Sequence, residues 1–184
     1  MESLTVEIVG LTPLLMHNGQ LADPLNPYTK AMKPITSKRK KTDKDHADLA
    51  ALEWEGGLYW DEANDCPTIP PENIEAAIHQ AGGKNKSSLQ LGVIVENVVF
   101  NYVGPRGKAA LAADMRFRDR RGVVVSQSRV FRCRPRFNQW GATIEIRFDE
   151  NEVNKETIIT AIEEAGRRGI CDYTPKFGRF QLKQ

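Results

Sequence analysis

Hydrophobic and polar positions along the chain follow two different periods. Over residues 4–11, Leu4, Val6 and Ile8 alternate with polar neighbours, the pattern of a half-buried strand, and Thr12-Pro13 ends it. Residues 142–148 alternate again, with Ile144, Ile146 and Phe148 on one face, and 93–100 reads as a strand with a buried centre. The helical period governs 69–79, which opens at proline, shares one face among Ile74, Ala77, Ile78 and Ala81, and stops at Gly82-Gly83. It also governs 154–168, where Ile158, Ile159, Ile162 and Ala165 form the stripe and Gly166 or Gly169 ends it. Weaker signals predict a short helix over 45–55, closed by Gly56-Gly57, and short strands at 58–60 and 177–182. Residues 115–120 alternate, Arg121-Gly122 marks a turn, and 123–135 is a long extended run before a turn at 138–141. Residues 17–44 have no period and are rich in Pro, Asn, Lys and Ser, which predicts a long, flexible basic loop.

This order predicts an α+β fold: a ferredoxin-like (RRM-like) antiparallel sheet with helices on one face, a loop insertion and an extra β-hairpin. The 184 residues, 40% hydrophobic and 27% charged, suit one domain spanning 1–184. No window approaches the ~18 apolar residues of a membrane span, and residues 1–5 lack the basic and apolar regions of a signal peptide. The expected address is the cytoplasm, with no membrane partner. Cys66, Cys133 and Cys171 form no CxxC pair and read as reduced, packed thiols. No metal or other cofactor is expected.

Net charge is only +2, but it is strongly blocked. Lys30, Lys33, Lys38, Arg39, Lys40, Lys41 and Lys44 meet one acid, Asp43, within 30–44. Acids such as Asp45, Asp48, Glu53, Glu55, Glu72 and Glu75 then accumulate over 45–83 with no Lys or Arg, and 106–136 is again rich in arginine. Such blocks suggest a polyanion partner, a self-complementary oligomer, or both.

Two alternating arginine rows stand out. Arg116, Arg118 and Arg120 share one strand face by period, and Arg132, Arg134 and Arg136 share another. Guanidinium groups ~6.5–7 Å apart match the phosphate repeat of an extended single strand; the bland alternative is a solvated face paired with acids of a neighbouring subunit. The 30–44 segment then reads as a clamp on the phosphate backbone, with Tyr28 and Met32 available to stack or wedge. At the C-terminal end, Gly166, Arg167, Arg168, Gly169, Lys176, Phe177, Gly178 and Arg179 make a glycine- and cation-rich loop, in which glycine lets backbone N–H groups approach a phosphate.

The end of that loop, Lys176-Phe177-Gly178-Arg179-Phe180, resembles the glycine-rich loop of the RAMP superfamily of CRISPR-associated proteins. Gly10-Leu11-Thr12-Pro13-Leu14 resembles the exit from that family's first strand, and Thr68-Ile69-Pro70-Pro71-Glu72-Asn73-Ile74 its helix start. The resemblance implies an RRM-like core that binds RNA, most like the backbone subunits that polymerise along a guide RNA, in a short and divergent form. Pro71-Glu72-Asn73 departs from the family's glycine-serine run. The resemblance also singles out His17, near the general acid/base position of RNA-cleaving relatives, and Asp23, near a metal-dependent cleavage position. Neither has an evident catalytic companion, so the expected protein is non-catalytic. The expectation is a largely sequence-independent binder of single-stranded RNA or DNA that assembles head-to-tail. The alternatives are an endoribonuclease using His17 or Asp23, and a regulatory protein that docks on a nucleoprotein complex.

Overall fold

The computed structural model describes residues 1–125 and 127–183. In chain order the elements are β1 (Glu2–Gly10), β2 (Leu14–Leu15), α1 (Pro27–Thr36), α2 (Asp43–Gly57), β3 (Trp60–Asp61), β4 (Cys66–Pro67), α3 (Pro71–Ala81), α4 (Lys86–Gly92), β5 (Val93–Tyr102), α5 (Lys108–Ala113), β6 (Arg118–Val125), β7 (Ser128–Phe137), β8 (Trp140–Phe148), α6 (Lys155–Arg168) and β9 (Phe180–Leu182). The chain is α+β, with antiparallel sheets, as its periodicities predict. It divides into two compact units: Met1–Leu14, Pro67–Val103 and Phe137–Gln184 form the first, Leu15–Cys66 and Gly104–Arg136 the second.

The first unit is built on a four-stranded sheet of order β5-β8-β1-β9, antiparallel at every step. Period 2 puts Leu4, Val6 and Ile8 of β1 and Ile144, Ile146 and Phe148 of β8 on one buried side. The apolar stripes of α3 (Ile74, Ile78) and α6 (Ile158, Ile162) are buried as well. In β5 the alternation breaks at Glu96, where a bulge shifts the register between Val95 and Asn97. The extra residue returns Val98 to the buried side already holding Val93 and Val95, and the Glu75 carboxylate accepts the Val95 N–H at 3.0 Å. Asn154 caps α6 by accepting the Thr157 N–H at 2.9 Å.

The second unit holds a three-stranded sheet of order β2-β7-β6 and the helices α1, α2 and α5. Trp54 of α2 is fully buried, and its indole N–H donates to the Phe117 carbonyl at 2.7 Å. Pro135 has no N–H to give, and it lies on β7 where only its carbonyl is needed, accepting from Met16 N at 3.0 Å. Farther along the same edge, beyond the two-residue β2, the Cys133 N–H is taken by the Glu53 carboxylate at 2.9 Å.

Three expectations need correction. First, residues 17–44 are not one loop: they contain a 3-10 turn over Gly19–Ala22, all of α1, and the start of α2. Asn26 caps α1 by accepting the Tyr28 N–H at 2.9 Å, with Pro27 at the first helical position. Asn18 reaches Leu58 O, and Gln20 reaches Gly56 O at 2.8 Å, so amide side chains tie this segment to the end of α2. Second, Arg121-Gly122 is not a turn; both continue β6, opposite Arg132 and Phe131. Third, Arg116 lies before β6, in a 3-10 turn over Met115–Phe117, so its row is not a strand row throughout.

Candidate nucleic-acid interface

The register of the β6–β7 hairpin separates the two arginine rows. Arg118 stands opposite Pro135 and Arg120 opposite Cys133, while Arg132 stands opposite Arg121 and Arg134 opposite Asp119. Residues directly opposite share a face, so Arg118 and Arg120 occupy one face of the hairpin and Arg132, Arg134 and Arg136 the other. One continuous six-arginine surface does not exist.

Several of these guanidinium groups are structural. Arg116 is clamped by the Asp114 carboxylate, which raises its pKa, while Arg116 holds the Asp114 carboxyl below its ordinary range. Arg118 donates to the Ala112 carbonyl at 2.6 Å and lies over the Trp54 ring. Arg136 approaches the buried Asp119 carboxylate at 3.5 Å, and that carboxylate also pairs with Arg121. Arg132 pairs with the buried Glu53 at 2.6 Å. Arg120 is different. It is exposed, and its guanidinium sits 5.5 Å from the centre of the Phe131 ring, itself 63% exposed. Phe131 faces Gly122 across the ladder, so no opposite side chain covers it. Neither Arg120 nor the exposed Arg129 has an ion pair among the described residues.

Phe131, Arg120 and Arg129 line a cleft of 830 Å³ with Val130 and Arg132 of β7 and with Lys41, Asp43, His46, Ala47, Leu49, Ala50 and Glu53. Four cations thus face two carboxylates, of which Glu53 is already engaged by Arg132. A second cleft, of 460 Å³, is lined by His17, Leu21, Ala22, Pro24, Thr29, Met32 and Lys33 on one side and by Arg132, Cys133 and Arg134 on the other. Glu53, Arg132 and Thr36 border both clefts.

The basic segment splits between the two clefts. Lys33 lines the smaller cleft and Lys41 the larger. Lys30, Arg39 and Lys40 are exposed, whereas Lys38 is held by Asp45 at 2.5 Å. The Lys41 ammonium turns back to the Thr36 and Lys38 carbonyls at 3.1 and 3.0 Å. Tyr28 is packed against Gly56, where an added Cβ would lie 3.1 Å from the ring, so only Met32 of the two expected wedges lines a cleft.

In the first unit the C-terminal loop is a packing device. Gly178 has φ +71 and a Cβ there would lie 2.0 Å from the Ile170 carbonyl; its N–H already donates to Pro13 O at 2.9 Å. The Gly169 N–H is likewise used, by Ala165 O at 2.8 Å. These glycines therefore offer no free N–H groups to a phosphate. Phe177 is buried beside Tyr173, so its ring is not a stacking surface. Arg167 and Arg168 both pair with Glu164 on the surface, and Arg168 also donates to Gln80 O. Lys176 and the Arg179 side chain are exposed, while the Arg179 backbone joins Leu11 and Thr12. The exposed positions of the four-stranded sheet, among them Thr5, Glu7, Asn97, Val99, Glu145 and Arg147, carry no aromatic ring among the described residues. That sheet therefore lacks the stacking surface on which RRM domains hold bases.

The two catalytic candidates lie in different settings. His17 sits on the rim of the smaller cleft, and its carbonyl accepts from the Tyr59 hydroxyl at 3.3 Å. Asp23 is exposed and spends its carboxylate on the Leu25 N–H at 2.8 Å. Among the described residues no three His, Cys, Asp or Glu side chains converge to hold a metal ion. The thiols are poor nucleophiles: desolvation raises the Cys133 pKa and pushes Cys171 up to about 12.

The charge blocks also look different in three dimensions. Asp45, Asp48, Glu53 and Glu62, four acids of the acidic block, each pair with a cation of their own unit. The residues that sequence reasoning missed are Arg129 and Phe131. Their signal is the hairpin register, which leaves an aromatic ring opposite glycine. Among the described residues no helix is long and apolar enough to cross a membrane. Comparison with protein-family models gives no match, and no curated protein matches the chain.

Proposed function

We propose that the protein binds single-stranded nucleic acid, RNA in the first instance, in the larger cleft of its second unit, without strong sequence preference. The observation that carries this reading is the exposed Phe131 ring flanked by Arg120 and Arg129 in a cleft with an excess of cations. A base has a π-face whatever its identity, so an aromatic ring beside guanidinium groups binds single strands tolerantly. Phosphates of the same strand meet Lys41 and the arginines. The order β1, α3, β5, β8, α6, β9 and the sheet order β5-β8-β1-β9 support a ferredoxin-like reading of the first unit. The bonds that join Leu11 and Thr12 to Arg179 support the resemblance to RAMP proteins, because they bring two of its three motifs together. Assembly of successive copies along one strand belongs to the same proposal and rests on the strand, along which each copy adds its own phosphate contacts.

Fluorescence anisotropy with labelled single-stranded RNA, single-stranded DNA and duplex tests it. Binding of single strands that falls when Phe131 becomes Ala, and does not fall when Arg116 becomes Ala, is the expected result. Equal binding by the Phe131→Ala protein would remove the cleft from the interface, and shortened RNA would show an endoribonuclease instead. Complex mass that steps up with strand length supports assembly; one copy per strand at every length overturns it.

A further inference from the structure

A glycine in the middle of a strand needs a reason, because it weakens the strand and gives nothing to pack. In the four-stranded sheet the reason is contact. A Cβ at Gly10 would strike the Trp140 ring, and one at Gly141 would lie 2.6 Å from the Ile8 carbonyl. Gly122, inside β6, has no such reason among the described residues. Its φ is not positive, and the β6–β7 ladder runs through it without a bulge. The nearest atoms to an added Cβ are aliphatic carbons of Arg129 at 3.6 Å, an ordinary contact. A strand glycine with neither bulge nor crowding marks the close approach of a ligand or of another backbone.

The space above Gly122 has three walls. Phe131 stands directly opposite on β7, and Arg120 and Val124 lie two residues away on either side along β6, all on one face. Arg120 and Val124 are thus ~13 Å apart along the strand. The fourth side is open, because β6 is the edge of its sheet. Phe131 is 63% and Val124 68% exposed, and only the long Arg120 side chain leans toward the gap, 5.5 Å from the ring centre. A backbone pairing with the β6 edge would lie in the plane of the sheet and leave this gap empty, so a ligand above the face fits better. An aromatic ring, an exposed valine and two arginines without an ion pair suit a flat ring that carries an anion.

We infer that Gly122 is the floor of a nucleobase seat. The base stands where a side chain would stand, stacked on Phe131 with one edge against Val124, and its phosphate is met by Arg120 and Arg129. The inference rests on the proposed function and adds the seat of one base and the residue that keeps it open. The strand backbone enters and leaves by the open edge of β6. Phe131 and Val124 side chains offer no donor or acceptor to a base edge, so the seat takes any base.

The test compares two labelled strands on the full chain by fluorescence anisotropy: a short oligouridylate and an abasic oligomer of the same length. The parent should bind the oligouridylate about tenfold more tightly, the scale of one stacked base. Gly122→Leu fills the seat and should bind both strands alike, at the level of the abasic oligomer. Its melting temperature should not fall, because a side chain there removes the cost of a strand glycine and covers the Phe131 ring. Ser128→Leu, on the other face of the same hairpin, should keep the preference. The inference is overturned if Gly122→Leu also keeps it. Should Gly122→Leu melt below the parent, Gly122→Ala decides: a reduced preference supports the seat and an unchanged one overturns it. A parent that binds both strands equally overturns the seat and leaves the proposed function standing, whereas a parent that binds neither sinks both. A fall in the mass of the strand-free protein on Gly122→Leu, read by light scattering, would show that the bare backbone meets a second copy, and overturns the seat.

Discussion

The two units solve the same problem, ordering a chain of ordinary composition, by different means. The first uses alternation: two long ladders, β1–β8 in continuous register and β5–β8 with one bulge, bury one face, and two helices contribute apolar stripes. Its polar groups mostly serve the fold, as Glu75 serves the bulge and Gly178 the C-terminal loop. The second unit has a smaller regular sheet and leans on specific polar contacts. Asn18, Gln20 and Asn26 pin the chain before α1, and the buried Glu53 ties α2 to β7. A unit held by scattered polar contacts leaves gaps between its elements, and both clefts lie there. The regular unit supplies stability by area, and the irregular one exposes chemistry.

The sharpest way to break this comparison is to remove Trp54. It is fully buried and its indole N–H is bonded, so Trp54→Ala should cost about 3–5 kcal/mol. Hydrogen exchange should show protection lost in α2 and β7 while the β1–β8 amides remain protected. Ile144→Ala, with an expected loss of about 2–5 kcal/mol, should strike β1 and β8 first. Identical exchange patterns for the two variants would mean that the units do not fail separately.

Glu53→Ala is expected to come next, at about 2 kcal/mol, because it strands the Cys133 N–H and releases Arg132, which is itself partly solvated. Glu53→Gln keeps an acceptor for the N–H and should recover about half of the loss in a urea titration. If Gln is as damaging as Ala, the ion pair and not the edge N–H is what matters.

The two units also differ in what the sequence makes legible. Period 2 and period 3.6 identify β1, β8, α3 and α6, because one face of each is buried against apolar neighbours. Tyr28, Met32 and Ile35 of α1 recur at helical spacing but none is fully buried, so the stripe is faint among lysines and prolines; the clearer signal was the Asn26-Pro27 pair, a cap followed by proline at the first helical position. The bulge in β5 is legible only as a broken alternation. The arginine rows were visible, but their faces depend on hairpin register, which Arg121-Gly122 misdirects by resembling a turn. Glu53 gives no sign in sequence that it is buried, since its partners lie 79 and 80 residues away.

At the clefts the expected effects are smaller and concern binding. Phe131→Ala should weaken single-strand binding by about 1–3 kcal/mol with little change in the salt dependence, because a ring neutralises no phosphate. Arg129→Ala should weaken it less at high salt than at low, lowering the slope of log K against log salt by about 0.7. Arg116→Ala should leave the slope unchanged, since Asp114 already neutralises that guanidinium. An unaltered slope for Arg129→Ala together with a reduced one for Arg116→Ala would move the interface away from the cleft.

The smallest effect probes charge at the base of the second unit. Asp45 closes a capping box with Thr42 at the start of α2 and also holds Lys38. The Lys38 ammonium, followed by the Thr42 N–H, lowers its pKa from 3.8 to about 2. A carboxylate whose folded pKa is depressed contributes stability that is present above the unfolded value and is lost as pH falls through the folded one. The contribution of Asp45 should therefore be complete above about pH 4 and fade between pH 4 and 2. Asp45→Asn keeps a side-chain acceptor for the Thr42 N–H but gives Lys38 no counter-charge. Thermal melts at pH 7, 4, 3 and 2 should then show the variant less stable at the first two values and converging with the parent at the last. The equivalent cap of the first unit, Asn154 at the start of α6, is neutral, and Asn154→Ala should lower stability by an amount that does not vary over the same pH range. A gap between Asp45→Asn and the parent that persists at pH 2 would show that Asp45 holds α2 through hydrogen bonding alone, and that both units cap their helices by the same means.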